Sequence, residues 1–159
     1  DDGEVLLDTV EVSDRERLFE PPPMHHELDV TFGQVAKLLG YDLEGSTFQT
    51  SQPVTVTLYW EALPDATDAD YVVFTHLLDD QGRVVAQHDG RAVLGRRPSP
   101  GWVAEEILVD PHPMSFREAY SGPASIEVGL YRATDLERVP TSGGSDAVIL
   151  PERVTIVPR

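Results

Sequence analysis

Pro53-Val-Thr-Val-Thr-Leu-Tyr-Trp-Glu-Ala62 is the stretch whose reading decides the fold. Val54, Val56, Leu58 and Trp60 fall on one face of an extended chain, and Thr55, Thr57, Tyr59 and Glu61 on the other. Strict alternation of this kind is the signature of a strand with one face in the core and one toward solvent. Two more strand-like segments follow: Tyr71-Val-Val-Phe-Thr-His-Leu-Leu-Asp79 and Val84-Val-Ala-Gln-His-Asp-Gly90. Between them Asp79-Asp-Gln-Gly82 has hairpin-turn chemistry, since Asp favours the turn and Gly supplies a positive φ. The pattern predicts an all-β chain.

Working outward, Leu28–Phe32 and Val35–Leu43 read as strands, with Val35-Ala-Lys-Leu-Leu39 bracketed by Gly33 and Gly40. Arg91–Gly101 is a Gly, Pro and Arg-rich loop. Val103–Asp110 is a strand that Pro111-His-Pro113 is expected to stop, because proline cannot donate to a ladder. Met114–Gly122 reads as loop. In Ala124–Arg132, Ile126, Val128 and Leu130 alternate inward against Glu127 and Tyr131. Val148–Leu150 and Arg153–Val157 close the set. A further strand is expected near Glu4–Val12, followed by Pro21-Pro-Pro23. Residues 1–25 therefore read as an N-terminal strand and Pro-rich arm, and residues 26–159 as the domain. Eight to ten short strands with turn chemistry between them predict an antiparallel β-sandwich, either jelly roll or immunoglobulin-like.

The 159 residues and 40% apolar content suffice for one domain with a real core. The net charge of −16 argues against nucleic acid and anionic lipid as partners, both of which need clustered Lys and Arg. No apolar run reaches the about 18 residues of a membrane span, so direct membrane insertion is not expected. There is no Cys, and hence no disulfide frame or thiol chemistry.

No nucleophile motif, phosphate loop or His-Glu-x-x-His occurs, so the domain reads as non-catalytic. A hydrolase would need convergent carboxylates such as Glu105 with Glu106 or Asp110. Neighbouring strand residues point to opposite faces, which keeps Glu105 and Glu106 apart. The five histidines lack zinc spacing. His25, His26, His88 and His112 read as incidental surface residues, and His76 as a hydrogen-bonded core histidine. Asp68, Asp70, Asp79 and Asp80 offer oxygens for a structural Ca²⁺, but not at the spacing of a known calcium loop, and solvated turns are the plainer reading. No cofactor is expected.

The aromatics carry the functional reading. Trp60 belongs to the core. Trp102, after Pro100-Gly101, is expected to be exposed, and Tyr59 and Tyr131 lie on polar faces near Glu61 and Glu127. Aromatic rings stack on the apolar faces of sugars, and carboxylates accept hydrogen bonds from sugar hydroxyls. Tyr59, Glu61, Trp102, Glu127 and Tyr131 thus form a candidate glycan platform. The alternative is that the tyrosines pack under a loop or face water and Trp102 plugs the end of the barrel.

Phe32-Gly33, Leu39-Gly-Tyr-Asp-Leu43, Val56-Thr-Leu-Tyr-Trp60, Val73-Phe-Thr-His-Leu-Leu-Asp79, Gly82-Arg-Val-Val-Ala-Gln-His-Asp-Gly90, Val109-Asp-Pro-His-Pro113 and Glu127-Val-Gly-Leu-Tyr131 occur in that order. In this set the chain resembles the extracytoplasmic C-terminal β-sandwich of Chloroflexi-type multi-spanning membrane glycosyltransferases and uncharacterised membrane proteins. It departs at Val103-Ala-Glu105, where the family has Pro-Gly-Glu, and at Ser121-Gly-Pro123, where it has Pro-Pro-Gly. The resemblance implies a non-catalytic accessory module outside the cell, tethered by Asp14–Met24 to a membrane-spanning remainder of the parent chain. It carries over no site residue. A structural or protein-interaction module without a small ligand is the other reading.

Overall fold

The structure is a computed structural model and describes residues 17–158. The strand expected near Glu4–Val12 lies outside the described residues. Among the described residues ten strands form: β1 His26–Phe32, β2 Ala36–Leu43, β3 Thr47–Gln49, β4 Val54–Ala62, β5 Tyr71–Leu78, β6 Val84–Gly90, β7 Ile107–Phe116, β8 Gly122–Arg132, β9 Val148–Ile149 and β10 Val154–Val157. Among the described residues the only helical pieces are two short 3-10 turns, Pro64–Thr67 and Ser99–Gly101. The class is all-β.

The expected sandwich of two separate antiparallel sheets is corrected on two points. The strands form one sheet that curls into a half-barrel, in the order β1-β2-β4-β7-β6-β5-β8-β10-β3, with β9 beside β8. The sheet is also mixed, because β3 runs parallel to β10. Thr47-Phe-Gln49 is too short to show a period, which is why this strand was not expected.

Alternation places the core inside the curl. Val54, Val56, Leu58 and Trp60 are fully buried, and Ile126, Val128 and Leu130 face them from β8. Burying side chains of this size removes apolar surface worth about 1.5–3 kcal/mol each, which holds the curl closed. The hairpin at Asp79–Gly82 forms as its chemistry predicts. Asp79 Oδ1 accepts the Gln81 and Arg83 amides at 2.9 Å, and Gly82 sits at φ +81°.

The end expected at Pro111-His-Pro113 is wrong: β7 runs through both prolines to Phe116. The reason lies in which neighbour each residue faces. Arg117 donates its amide to Val85 O on the β6 side at 2.9 Å. Alternation then turns residues 113 and 111 the same way, so their missing N–H groups face β6 and not β4. The ladder to β4 stays whole, with eight register pairs from Val54↔Met114 to Glu61↔Ile107. The ladder to β6 shrinks to Ala86↔Phe116 and Gln87↔Ser115. Along the main strand order, the β6–β7 seam is therefore the junction with the fewest register pairs.

Candidate functional site

The five residues of the expected platform do not meet. Tyr59 and Glu61 lie on β4, Glu127 and Tyr131 on β8, and β7, β6 and β5 stand between these strands. Trp102 is buried, not exposed: it joins the core cluster, and its indole N–H donates to Arg97 O at 2.7 Å. Its burial agrees with the alternative reading in that the ring packs inside the domain and not in solvent. Tyr59 is also buried, and its hydroxyl donates to Asp42 Oδ2 at 2.6 Å. Burial and the Asp42 carboxylate together push its pKa up to about 12.

Glu127 and Tyr131 do come together. They are four residues apart on β8, so both point to the outer face. Register sets His76 of β5 opposite Glu127, Phe74 opposite Gly129 and Val72 opposite Tyr131, while Asp89 of β6 lies opposite Phe74. The result is a polar grid around an aromatic centre. His76 Nδ1 and Glu127 Oε1 are 3.0 Å apart, His76 Nε2 lies 3.8 Å from Asp89 Oδ1, and the Tyr131 hydroxyl donates to Asp89 Oδ2 at 3.0 Å. The hydrogen bond from His76 holds the Glu127 carboxyl below its usual range, against the opposing effect of burial, with help from the Arg138 charge. Burial and then the Asp89 carboxylate raise the Tyr131 hydroxyl.

Phe74 is the floor of this grid, and Gly129 is what admits it. A Cβ at position 129 would collide with the ring, so only glycine lets Phe74 lie across β8. The Arg138 guanidinium covers the ring from outside, 4.3 Å from its centroid, and the Tyr131 ring stacks beside it at 6.1 Å. Arg138 also borders a neighbouring cleft of about 290 Å³, lined among others by Asp65, Asp68, Tyr71, Arg132 and Glu137. Arg138 is thus shared between grid and cleft. The expectation for His76 holds in part: it is hydrogen-bonded but half-buried on the outer face.

Two interior networks escaped the sequence reading. In the first, Asp110 and His112, the latter expected at the surface, are fully buried. Asp110 accepts from Val93 N at 2.7 Å and Trp60 Nε1 at 3.1 Å, and its Oδ2 lies 2.6 Å from His112 Nε2. His112 Nδ1 meets His88 Nδ1 at 2.8 Å. The expectation of surface histidines at 88 and 112 is thus corrected. The chain also pins a left-handed turn in which Val93, Leu94 and Gly95 have φ of +57°, +54° and +86°. That conformation costs a residue with a side chain about 1–2 kcal/mol, so the buried Asp110 anchor offsets real strain.

In the second network Glu106 is buried between Arg17 and Arg97 and accepts the Val103 amide. Glu105 is exposed at φ +75°. Each carboxylate of the hydrolase alternative is therefore either tied up inside or out in solvent. Alternation does reveal that 108, 110, 112 and 114 share one face of β7, but only once the strand is known to pass the prolines.

Among the described residues, no group of three or more His, Asp or Glu side chains is placed to hold a metal ion. Asp70 pairs with Arg91, Asp79 caps its own turn and Asp80 pairs with Arg153. Among the described residues no helix is long and apolar enough to cross a membrane. The chain matches no family model, no curated protein and no solved structure.

Proposed function

We propose that this is a non-catalytic accessory β-domain that binds carbohydrate on the outer face of β5, β6 and β8. The observation that carries the reading is the grid of Glu127, His76, Asp89 and Tyr131, four hydrogen-bonding side chains set on one open face. Sugar hydroxyls both donate and accept, and this grid offers carboxylate acceptors, an imidazole and a phenol within a few ångströms. Phe74 lies under Arg138, so recognition runs through the polar groups and the edge of Tyr131 rather than through a broad stacking plate. Arg138 and the adjoining cleft extend the surface for more than one sugar ring. The family resemblance supports an extracytoplasmic location, a membrane tether in the parent chain and a glycosyltransferase as the activity served.

A glycan-array screen of the domain, with and without Ca²⁺, tests this. Specific hits are expected, with at least about a tenfold loss of affinity on Tyr131→Ala or Glu127→Ala. Hits unchanged in both variants, or a blank array in both conditions, would remove the carbohydrate reading. The second reading is a protein-interaction module. Leu18 and Phe19, 43% and 53% exposed, favour it, since they sit beside the start of β7 where Leu18 bridges to Ile107. Retention of the domain by the membrane-spanning remainder of the parent, lost on Phe19→Ser, would support it.

A further inference from the structure

The cleft beside Arg138 has a polar group left unsatisfied, and its lining is held by backbone hydrogen bonds. One part of that lining is the 3-10 turn Pro64–Thr67. Leu63 N donates to Val35 O and Asp65 N to Gln34 O, both at 2.9 Å, which ties the turn to the bend between β1 and β2, and Ala66 is buried beneath it. Another part is the stretch 137–140. There Arg132 N donates to Glu137 O, Val139 N to Leu130 O and Gly33 N to Pro140 O, each at 2.9 Å. Tyr71 opens β5 opposite Arg132 of β8, and its amide donates to the buried Ser99 Oγ at 3.0 Å.

Tyr71 is only 9% exposed, yet its hydroxyl has no hydrogen-bond partner among the described residues. A phenol at that depth is ordinarily hydrogen-bonded. The charges acting on it tell where it points. Burial raises the hydroxyl above its ordinary value, the Arg132 charge opposes this, and the Asp68 and Asp65 charges add to it. All three of those side chains line the cleft, so the hydroxyl faces it too. Held protonated, it can both donate and accept.

The cationic side chains of the cleft are already engaged. Arg132 pairs with Asp135 and Glu137, both at 2.7 Å, and Arg138 pairs with Asp146 at 3.3 Å while covering Phe74. Asp65 and Asp68 are exposed and make no side-chain hydrogen bond or ion pair among the described residues. They belong there to no group able to hold a metal ion. What the cleft offers is therefore acceptor capacity: two carboxylates and the Tyr71 oxygen. An anion would meet Asp65 and Asp68 as like charges. A protonated primary amine brings three donors and the opposite charge.

We propose that this cleft binds an amino sugar with a free, protonated amine, Asp65 and Asp68 taking the ammonium and the Tyr71 hydroxyl bonding the ring hydroxyl beside it. The cleft volume of about 290 Å³ stands at the low end of ligand pockets, about 300–1,000 Å³, which suits a single ring. The preference for a cation comes from the cleft alone. Its assignment to a sugar rests on the carbohydrate reading above.

The test is an NMR titration of the whole chain at about pH 6, where an aliphatic amine is protonated, with glucosamine, N-acetylglucosamine and ethanolamine. Glucosamine is expected to bind at least about fivefold more tightly than the other two, moving the Gln34, Asp68 and Tyr71 amides. Tyr71→Phe keeps the ring in the core and should weaken glucosamine about tenfold. Asp68→Asn, a surface change, should weaken it about threefold to fivefold. Glucosamine binding that is absent, no tighter than N-acetylglucosamine or ethanolamine, or unchanged in both variants would overturn the proposal. Its failure is distinguishable from that of the grid. If array hits depend on Glu127 and Tyr131 but glucosamine fails, the cleft assignment falls and the grid stands. If glucosamine binds through Tyr71 and Asp68 while array hits ignore Glu127 and Tyr131, the grid falls and the cleft stands.

Discussion

His88 and Asp89 are consecutive residues of β6, yet they belong to opposite worlds. His88 turns inward and completes the chain Asp110–His112–His88. Asp89 turns outward into the grid with His76, Glu127 and Tyr131. Both regions are built from carboxylates, imidazoles and an aromatic side chain. What separates them is access to water. Inside, nearly every donor has one acceptor and nothing can substitute for it, so removing a partner strands the others. Outside, each group can trade its neighbour for water or a ligand hydroxyl. The same chemistry is therefore architecture on one face and a candidate recognition surface on the other.

The sharpest way to break this contrast is Asp110→Ala. It strands the Val93 amide, the Trp60 indole N–H and His112 Nε2 together and releases a left-handed turn. A loss of about 3–5 kcal/mol in urea unfolding is expected. A loss below about 1 kcal/mol would mean the inner chain is no more demanding than the outer grid. Next in size is Gly129→Ala, which tests whether the grid has a built floor. The added methyl meets the Phe74 ring, and the ring cannot move outward without displacing Arg138. About 1–3 kcal/mol is expected, recovered at least in part when Phe74 is shortened to Leu in the same chain. An undisturbed Gly129→Ala protein would show that Phe74 is free to move and that the grid is not preorganised.

Most of the fold was legible because alternation is a strong signal wherever one face is buried. Val54 to Trp60 and Ile126 to Leu130 announce strands by themselves, and Asp79-Asp-Gln-Gly82 announces the hairpin. Three things were not legible. Prolines at 111 and 113 read as an end, since a sequence does not say which neighbour a missing N–H faces; only the strand order does. A three-residue strand such as Thr47–Gln49 has no period to detect. Trp102 lay in a loop, and loop residues are assigned to the surface by default, although here its indole found both a cavity and a carbonyl. The site was half legible. Glu127 and Tyr131 share a strand face by spacing alone, but joining them to His76 and Asp89 needs the register of three strands. Tyr59 and Glu61 share that logic with each other and were grouped with Tyr131 only because nothing in the sequence says how far apart β4 and β8 stand.

The smallest expected effect is the most diagnostic of the outer face. Glu127→Gln keeps the shape and one acceptor but removes the charge that His76 and Arg138 hold in place. At neutral pH a loss of about 1 kcal/mol is expected, in line with one partly buried charge-assisted hydrogen bond. Its pH dependence has a definite sign. The folded carboxyl lies below its ordinary value of 4.5, so its contribution is complete above 4.5 and disappears as pH falls through the folded value. Wild type and variant should therefore converge in urea midpoint on acidification below that point, while Asp110→Ala stays far less stable than both. A gap between wild type and Glu127→Gln that persists into acid would mean Glu127 acts through packing rather than charge. The outer grid would then be as fixed as the chain inside, and the reason to regard it as exchangeable with a ligand would be lost.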